Sequence, residues 1–322
     1  MVDVVVVGAG PVGLACALEL QRAGQKVLVI EKGALVNSLV GYPTNMEFFS
    51  TPELLEIGTH PFATRNYKPR REEALDYYRR VAENENLDLA LFERVNGLSG
   101  EAGAYVVHTE HRYVACRFVV VSTGFFDTPN GLNVPGSDLP KVSHYYKEPY
   151  MHAKRDLAVI GAKNSAAKAA LECHRNGARV TMIVRGPEVG PTVKYWIRPD
   201  LLNRIKEGSI TAWFNASVDR IDERSITFTD PDGTRTIAND AVLALTGYRP
   251  DYGLLRSMGV EWDSDQARTP LYDPETFETT RKGVYVAGTV CGGLHTSRWF
   301  IENGRFHAQR IAAHVGSLNQ AQ

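Results

Sequence analysis

Two glycine-rich loops carry the residue types best suited to binding a nucleotide. The first, Gly8-Ala9-Gly10-Pro11-Val12-Gly13, follows a β-branched run at 4–7, and the next apolar run, at 26–30, ends at Glu31. In such a strand–loop–helix–strand unit, glycines allow a tight turn and a close approach of the backbone to a pyrophosphate. A carboxylate at the tip of the second strand can accept hydrogen bonds from a ribose diol. The first unit therefore predicts a dinucleotide with a free ribose.

The same pattern recurs once, with the opposite charge at the strand tip. An apolar run at 156–160 leads into Gly161-Ala162-Lys163-Asn164-Ser165-Ala166, and the run at 179–184 ends at Arg185. A guanidinium there suits the 2′-phosphate of NADPH, which a carboxylate would repel. Lys163, in place of the middle glycine, adds positive charge near the phosphates. Two such units in one chain predict a flavoprotein that holds FAD in the first unit and binds NADPH in the second.

The four cysteines are far apart, with neither a Cys-x-x-Cys motif nor the spacing of zinc ligands. Cys16, Cys116 and Cys173 fall on apolar stripes, so we expect them in the core, where burial makes a thiol a poor nucleophile. Cys291 lies in the loop between the last strand and the final helix, beside the expected flavin. It is the candidate catalytic thiol, and His295 could protonate a leaving thiolate.

The remaining apolar runs are expected to form further strands of the two units. Three of these runs are followed, directly or after one residue, by a pair of residues that contains a glycine. The pairs are Thr123-Gly124 after 118–121, Gly247-Tyr248 after 240–245 and Gly288-Thr289 after 282–287. A Pro/Gly-rich stretch at 125–136 is typical of a linker. Residues 301–304, which begin with Ile301, lead into the final helix, which is predicted at 305–315. The positive end of that helix would face the flavin.

These runs predict an α/β fold with two Rossmann-like dinucleotide-binding domains. The FAD-binding domain is expected to be discontinuous, at 1–125 and 245–322, and the NADPH-binding domain is expected at 126–244. A chain of 322 residues is long enough for two such cores.

The composition excludes several classes of protein. It is 43% hydrophobic and 23% charged with a net charge of −1, which is typical of a soluble globular protein and gives no general attraction to nucleic acid or anionic membranes. No apolar run approaches the roughly 18 residues of a membrane span. The N-terminus lacks the pattern of a signal peptide. We therefore expect a cytoplasmic enzyme without nucleic-acid, membrane or metal partners.

Over its whole length the sequence resembles the low-molecular-weight thioredoxin-reductase-like flavoproteins, and within them the YpdA-type bacillithiol disulfide reductases. The segments that carry the resemblance are YPTNMEFFS (42–50), KPRREEALDYYR (68–79), LPKVSHYYKE (139–148), GAKNSA (161–166), GYRPDY (247–252) and FIENGRFH (300–307). The resemblance implies a three-layer fold, FAD and NADPH as cofactors, and a homo-oligomer. It also implies that the electron acceptor is a small-molecule disulfide or a small redox protein.

The loops and the resemblance together define the candidate binding residues. For FAD they are Gly8, Gly10, Pro11, Val12, Gly13, Glu31, Lys32, Tyr42, Thr123, Gly124, Gly288, Thr289 and Ile301. For NADPH they are Gly161, Lys163, Asn164, Ser165, Ala166, Arg185, Gly247 and Tyr248.

The sequence departs from its relatives at three points. Thioredoxin reductases proper have a Cys-x-x-Cys motif and an Ala-Gly-Asp ending on the last FAD strand, whereas this chain has no such motif and continues Ala287-Gly288 with Thr289. YpdA-type members share both departures. Many of them have a cysteine at the position of Val12, however, so the thiol proposed for the family is missing here.

Three other functions remain open. A thioredoxin-reductase-like ferredoxin reductase also lacks the dithiol and would need a basic docking surface. A flavin monooxygenase would have Phe-x-Gly-x-x-x-His, but Asp138 and Pro140 replace the Phe and Gly before His144. An NADPH-responsive signalling flavoprotein would show slow flavin reduction and no stimulation by any acceptor.

Overall fold

A computed structural model describes residues 2–320, which form two compact units. The first comprises the chain up to Gly41, Met46–Thr128 and the chain from Tyr248 on, and the second comprises Tyr42–Asn45 and Pro129–Gly247. The boundaries near residues 128 and 248 lie close to the predicted ones. The grouping of Tyr42–Asn45 with the second unit has no counterpart in the sequence analysis.

The strands and helices of the described residues are mostly short. The strands are β1 (Val4–Val7), β2 (Val27–Ile30), β3 (Asp88–Ala90), β4 (Val95–Glu101), β5 (Ala104–Thr109), β6 (Tyr113–Cys116), β7 (Phe118–Val121), β8 (Val142–Ser143), β9 (Asp156–Ile160), β10 (Arg179–Ile183), β11 (Thr211–Trp213), β12 (Ser217–Ile221), β13 (Ser225–Asp230), β14 (Gly233–Ala238), β15 (Ala241–Ala244) and β16 (Val284–Val286). The helices are α1 (Pro11–Arg22), α2 (Asn37–Gly41), α3 (Pro52–Leu55), α4 (Arg71–Asn84), α5 (Asn164–Arg175), α6 (Arg198–Lys206), α7 (Tyr252–Ser257), α8 (Ile301–Gly304) and α9 (His307–Gln320), with 3₁₀ turns at Tyr150–His152 and Gly288–Gly292.

The core of the first unit is a parallel sheet in the order β16-β7-β1-β2-β3. Its central strand, β1, consists of four buried valines, because β-branched residues suit a strand that is covered on both faces. The chain leaves β1 toward β2 and returns on the other side through β7. The carboxyl ends of β1 and β7 thus meet at a topological switch point, where α/β sheets bind ligands. A separate antiparallel sheet, β4-β5-β6, belongs to the same unit.

The second unit repeats this arrangement with the sheet order β11-β10-β9-β15-β8. Leu157 and Val159 of β9 pack with the alanines of α5, whereas the alternating Ala158 and Ile160 pack with Phe228 of the antiparallel sheet β12-β13-β14. A helical layer, a parallel sheet and an antiparallel sheet therefore stack on one another. The predicted α/β class is confirmed.

Several helix ends differ from the prediction. Helices α1 and α5 begin inside their glycine loops, at Pro11 and Asn164, rather than after them. Proline has a helical φ and suits the first helical position, so α1 starts within the glycine loop. The final helix predicted at 305–315 is present as α9, but it begins at His307 and extends to Gln320. Residues 301–304, which were expected to open it, form the separate helix α8, which ends at a glycine, a residue that disfavours helix.

Among the helices in residues 2–320, none is long and apolar enough to cross a bilayer.

Candidate functional site

At Gly8 and Gly13, the first glycine loop is held by contacts that leave no room for a side chain. A Cβ on Gly13 would lie 2.0 Å from the carbonyl oxygen of Gly8, whose own φ is +105°. The Ser122 hydroxyl lies 3.0 Å from the carbonyl oxygen of Val7 and 2.9 Å from that of Gly8. Ser122 is buried, and the sequence analysis missed it although it precedes the predicted Thr123. The glycines and this hydroxyl together fix the path of the loop.

The start of α1 fits a pyrophosphate. Gly10 caps the helix without a side-chain hydrogen bond, and a Cβ there would meet no heavy atom within 4 Å among the described residues outside its chain neighbours. Pro11, the first helical residue, has no N–H that would need a partner. The remaining first-turn N–H groups and the positive end of the helix dipole attract anions.

Glu31, directly after β2, is buried and oriented by two backbone amides. Its carboxylate oxygens accept hydrogen bonds from the N–H groups of Ala9 and Gly33, each at 2.9 Å. Burial raises the pKa of the carboxyl above its usual value, and the two amide donors oppose that shift. Each carboxylate oxygen has a second lone pair, so Glu31 can still accept hydrogen bonds from ribose hydroxyls.

A cleft opens at the carboxyl ends of β1, β2 and β7, beside Glu31. Its lining includes Lys32, Thr123 and Gly124, and Lys32 pairs with Asp127 at 2.9 Å across the cleft wall. Gly124, at φ +67°, approaches Thr289, whose Oγ1 would lie 3.3 Å from a Cβ on the glycine. Several predicted residues from distant parts of the sequence thus lie together. The glycine loop, the acid and this cleft fit FAD.

Val12 is the point where three backbone segments of the first unit converge. A Cβ on Gly288, after β16, would lie 3.1 Å from Val12 Cβ. A Cβ on Gly304, at the end of α8, would lie 3.4 Å from Val12 Cγ2 and 3.3 Å from Gly288 Cα. The position that is cysteine in many YpdA-type sequences is therefore an apolar contact here. Ile301, predicted for FAD, begins the same helix α8.

The two predicted catalytic residues do not form a pair. His295 is exposed on its loop, whereas the Cys291 thiol is fully buried, and its Sγ lies 3.8 Å from Nδ1 of His307. Burial, followed by the neighbouring Cys16, raises the pKa of the Cys291 thiol well above its usual value. The geometry favours packing rather than nucleophilic attack at Cys291. Cys16, Cys116 and Cys173 are also buried, which confirms their predicted place in the core.

His307, which the sequence analysis missed, positions the loop after β16. Its Nδ1 accepts a hydrogen bond from the Gly288 N–H at 3.1 Å, so the proton of the neutral ring is on Nε2. The ring stacks on Phe277 at 3.9 Å between centroids and meets Trp299 edge-on at 4.4 Å. His307 ends the segment FIENGRFH, so the family resemblance contained a signal for it.

The second glycine loop has the same tight turn as the first. Gly161 has φ +121°, and a Cβ there would lie 2.5 Å from the carbonyl oxygen of Leu245. Lys163 caps α5 without a side-chain hydrogen bond and is exposed, as is Ser165, whereas Ala166 is buried in the core. The helix start and the Lys163 ammonium thus face solvent together, an arrangement that suits phosphate.

Arg185 follows β10 in the second unit and is exposed. Among the residues that the structure describes, none forms a salt bridge with its guanidinium, so the charge is available to a phosphate. Gly247, at φ +93°, ends the second unit, where its carbonyl oxygen accepts a hydrogen bond from Asn130 N–H at 2.9 Å. These residues fit a nucleotide that carries a 2′-phosphate.

Of the two tyrosines among the predicted binding residues, Tyr42 lies outside its predicted domain, whereas Tyr248 lies within the predicted range 245–322. Tyr42, which was predicted to bind FAD, groups with the second unit. Within the same short segment, Thr44 N–H donates a hydrogen bond to the carbonyl oxygen of Lys147 in that unit, at 2.9 Å. Tyr248, predicted for NADPH, groups with the first unit, where its ring lies 4.9 Å from that of Phe126. Both tyrosines lie directly at boundaries between the two units.

Comparison with known proteins identifies close relatives. A family model described as pyridine nucleotide-disulphide oxidoreductase matches residues 5–288. Bacilliredoxin reductase Bdr of Bacillus subtilis (strain 168) is 42% identical over 313 residues, which cover 97% of this chain and 96% of that protein. The bacillithiol disulfide reductase Bdr (YpdA) structure from Bacillus cereus, also 42% identical, superposes with a TM-score of 0.96 over 98% of this chain and 99% of that one. Thioredoxin reductase of T. acidophilum, at 21% identity, has the same fold, with a TM-score of 0.78 over 99% of both chains.

Replacing Gly288 by alanine tests the contact with Val12. The variant would place a Cβ at φ +78° and 3.1 Å from Val12 Cβ, so we expect the loop to shift and the purified protein to retain less FAD, measured as flavin absorbance per chain. Gly24→Ala is the matched control, because Gly24 has φ +80° but no heavy atom near its Cβ position. It should lose about 1–2 kcal/mol of unfolding free energy and keep its flavin. Equal flavin retention in both variants would contradict the prediction.

Replacing His307 by glutamine tests the neutral imidazole. Burial, followed by the charge of Arg310, lowers the pKa of His307 from 6.5 to about 4. Between these values the unfolded chain binds a proton that the native chain does not, so His307 makes the parent less stable as the pH falls through this window. The glutamine retains an acceptor for the Gly288 amide without titrating. We therefore expect its melting temperature to fall less between pH 6.5 and 4, whereas exposed His295→Gln should follow the parent. A His307→Gln profile parallel to the parent's would disprove this role.

Proposed function

Since the chain belongs to the pyridine nucleotide-disulphide oxidoreductase family, we propose that it uses NADPH and FAD to reduce the disulfide of the small thiol bacillithiol. The observation that carries the proposal is the 42% identity, over nearly the whole chain, to proteins named bacilliredoxin reductase and bacillithiol disulfide reductase. The balanced reaction converts NADPH, a proton and one disulfide into NADP⁺ and two thiols. Bound FAD supplies the hydride chemistry that links the two half-reactions.

The residues of the first unit hold and orient FAD in this proposal. The amides at the start of α1 bind the pyrophosphate, and Gly13 allows the helix to approach closely enough for this. Glu31 accepts hydrogen bonds from the adenosine ribose with the lone pairs that Ala9 and Gly33 leave available. His307 fixes the Gly288 amide, and with it the loop that closes the site.

The residues of the second unit select NADPH. The start of α5 and Lys163 bind the pyrophosphate, and Arg185 pairs with the 2′-phosphate. NADH lacks that phosphate and would leave the guanidinium without its ligand. The preference for NADPH over NADH therefore depends mainly on Arg185.

No cysteine of the chain takes part in the reaction as we propose it. The four thiols are buried, and burial raises the pKa of Cys16, Cys116 and Cys173 to about 12. The acceptor disulfide is reduced without a mixed disulfide to the protein. Free buried thiols are consistent with a cytoplasmic location, where thiols stay reduced. Self-association remains a prediction from the family resemblance.

Anaerobic turnover with bacillithiol disulfide tests the proposed function. We expect the parent to oxidise NADPH in step with the disulfide added, and Cys291→Ser to do so at a similar rate, because the Cys291 thiol is not a nucleophile. Arg185→Ala should raise KM for NADPH by about tenfold to a hundredfold, as expected for loss of a charge-assisted contact, and leave KM for NADH nearly unchanged.

Two outcomes would overturn the proposed function, and a third would overturn the statement that no cysteine takes part. A parent that reduces ferredoxin with a steep salt dependence but not the disulfide would be a ferredoxin reductase. A purified chain that takes up no flavin would lack the cofactor site. Loss of turnover in Cys291→Ser, with flavin retained, would assign the reaction to that thiol after all.

A further inference from the structure

The second unit displays two large aromatic side chains on a firmly anchored segment, residues 192–198. Tyr195 is 82% exposed and Trp196 is 44% exposed, although aromatic side chains of this size usually bury most of their surface. On either side of them, Val193 and Ile197 are buried in the core of the unit. The segment is therefore anchored by two buried aliphatic side chains, while its aromatic pair faces solvent.

Asn164 ties one end of this segment to the second glycine loop. Its side-chain amide donates a hydrogen bond to the carbonyl oxygen of Thr192 at 3.2 Å, and its Oδ1 accepts one from the backbone N–H of Lys194 at 2.9 Å. Asn164 is the first residue of α5, where the pyrophosphate is expected. The aromatic pair begins immediately after Lys194, beside that phosphate site.

Arg198 ties the other end to the turn after β10. Its Nε donates a hydrogen bond to the carbonyl oxygen of Val189 at 2.9 Å, and its guanidinium pairs with Glu188 at 3.3 Å. The same turn begins with Arg185, the expected partner of the 2′-phosphate. The segment is thus attached to both places in this unit where phosphate groups of the nucleotide are expected.

The exposed side chains have the chemistry to hold a nucleotide base. The rings of Tyr195 and Trp196 meet edge-on, 4.8 Å apart, and the Lys194 ammonium lies 5.8 Å from the centroid of the Trp196 ring. An aromatic face binds a planar base by stacking, and a nearby cation attracts the phosphates that the base carries. The adenine, rather than the nicotinamide, is the ring nearest to the 2′-phosphate.

We propose that Tyr195 and Trp196 form a platform on which the adenine of NADPH stacks, with Lys194 beside its phosphates. The inference rests on the proposed function, since it takes NADPH as the ligand of the second unit. It adds a contact with the base to the phosphate contacts of Lys163 and Arg185. Part of the affinity for the nucleotide then depends on the adenine ring as well as on charge.

Binding of 2′,5′-ADP to the full-length protein tests the platform without turnover. We expect the parent to bind this ligand with quenching of Trp196 fluorescence, since Trp196 is the exposed one of the four tryptophans. Tyr195→Ala and Trp196→Ala should each weaken binding about tenfold, whereas Tyr195→Phe and Trp196→Phe, which retain an aromatic face, should bind nearly as tightly as the parent. Trp196→Phe should lose the quenching.

Tyr113→Ala is the matched control, because Tyr113 is 77% exposed but lies in the first unit. It should bind 2′,5′-ADP as the parent does. Tyr113→Ala and Tyr195→Ala should melt at the parent's temperature because those rings are mostly exposed, and Trp196→Ala, whose ring is 44% exposed, should remain folded with a modestly lower melting temperature. Parent protein that fails to bind 2′,5′-ADP would overturn NADPH as the ligand of this unit, and with it the proposed function. Parent that binds, with both alanine variants binding equally well, would overturn only the platform. A raised KM for the acceptor in those variants, with KM for NADPH unchanged, would instead make the aromatic pair a docking surface for the acceptor.

Discussion

The close approach of two glycine backbones is the constraint on which the first cofactor site depends. Helix α1 can begin at the edge of the sheet only because Gly13 has no Cβ to meet the carbonyl oxygen of Gly8. That approach places Val12 against Gly288 and Gly304, so that the last strand and α8 reach the same edge. A side chain at Gly13 or Gly304 would meet backbone atoms, and one at Gly288 would meet the short, branched side chain of Val12, so none of them could be accommodated by moving a flexible tip. The first cofactor site therefore depends on close packing around main-chain atoms, which leaves little room for substitution.

The two units share one sheet topology but treat their selecting charges differently. Glu31 is buried, and a buried carboxylate needs donors already in place, which the amides of Ala9 and Gly33 provide. Arg185 is exposed, so water solvates its charge until a phosphate replaces that water. In the proposed function, this difference suits a flavin that stays bound through many turnovers and a nucleotide that must leave after each one.

The parts of the site that follow local rules could be predicted from sequence. Glycine spacing and strand-tip charge depend on one βαβ unit, and the buried cysteines of α1, β6 and α5 follow helical or strand periodicity. The contact between Cys291 and His307 could not be predicted in this way. The two residues are 16 apart in the sequence, and the irregular chain between them has no periodicity that would indicate a contact. His295 was selected for its nearness in sequence, but its loop points it to solvent. The grouping of Tyr42 with the second unit likewise depends on tertiary contacts that no local pattern encodes.

The burial of all four sulfhydryl groups affects how well the protein resists chemical inactivation. Alkylating agents and peroxides attack accessible thiolates, and none of the four cysteines offers one. With the proposed function, the protein would operate when oxidants are abundant, conditions in which an exposed catalytic sulfur is itself at risk of irreversible oxidation. With valine in the glycine loop and its sulfurs enclosed, this chain avoids that form of self-inactivation.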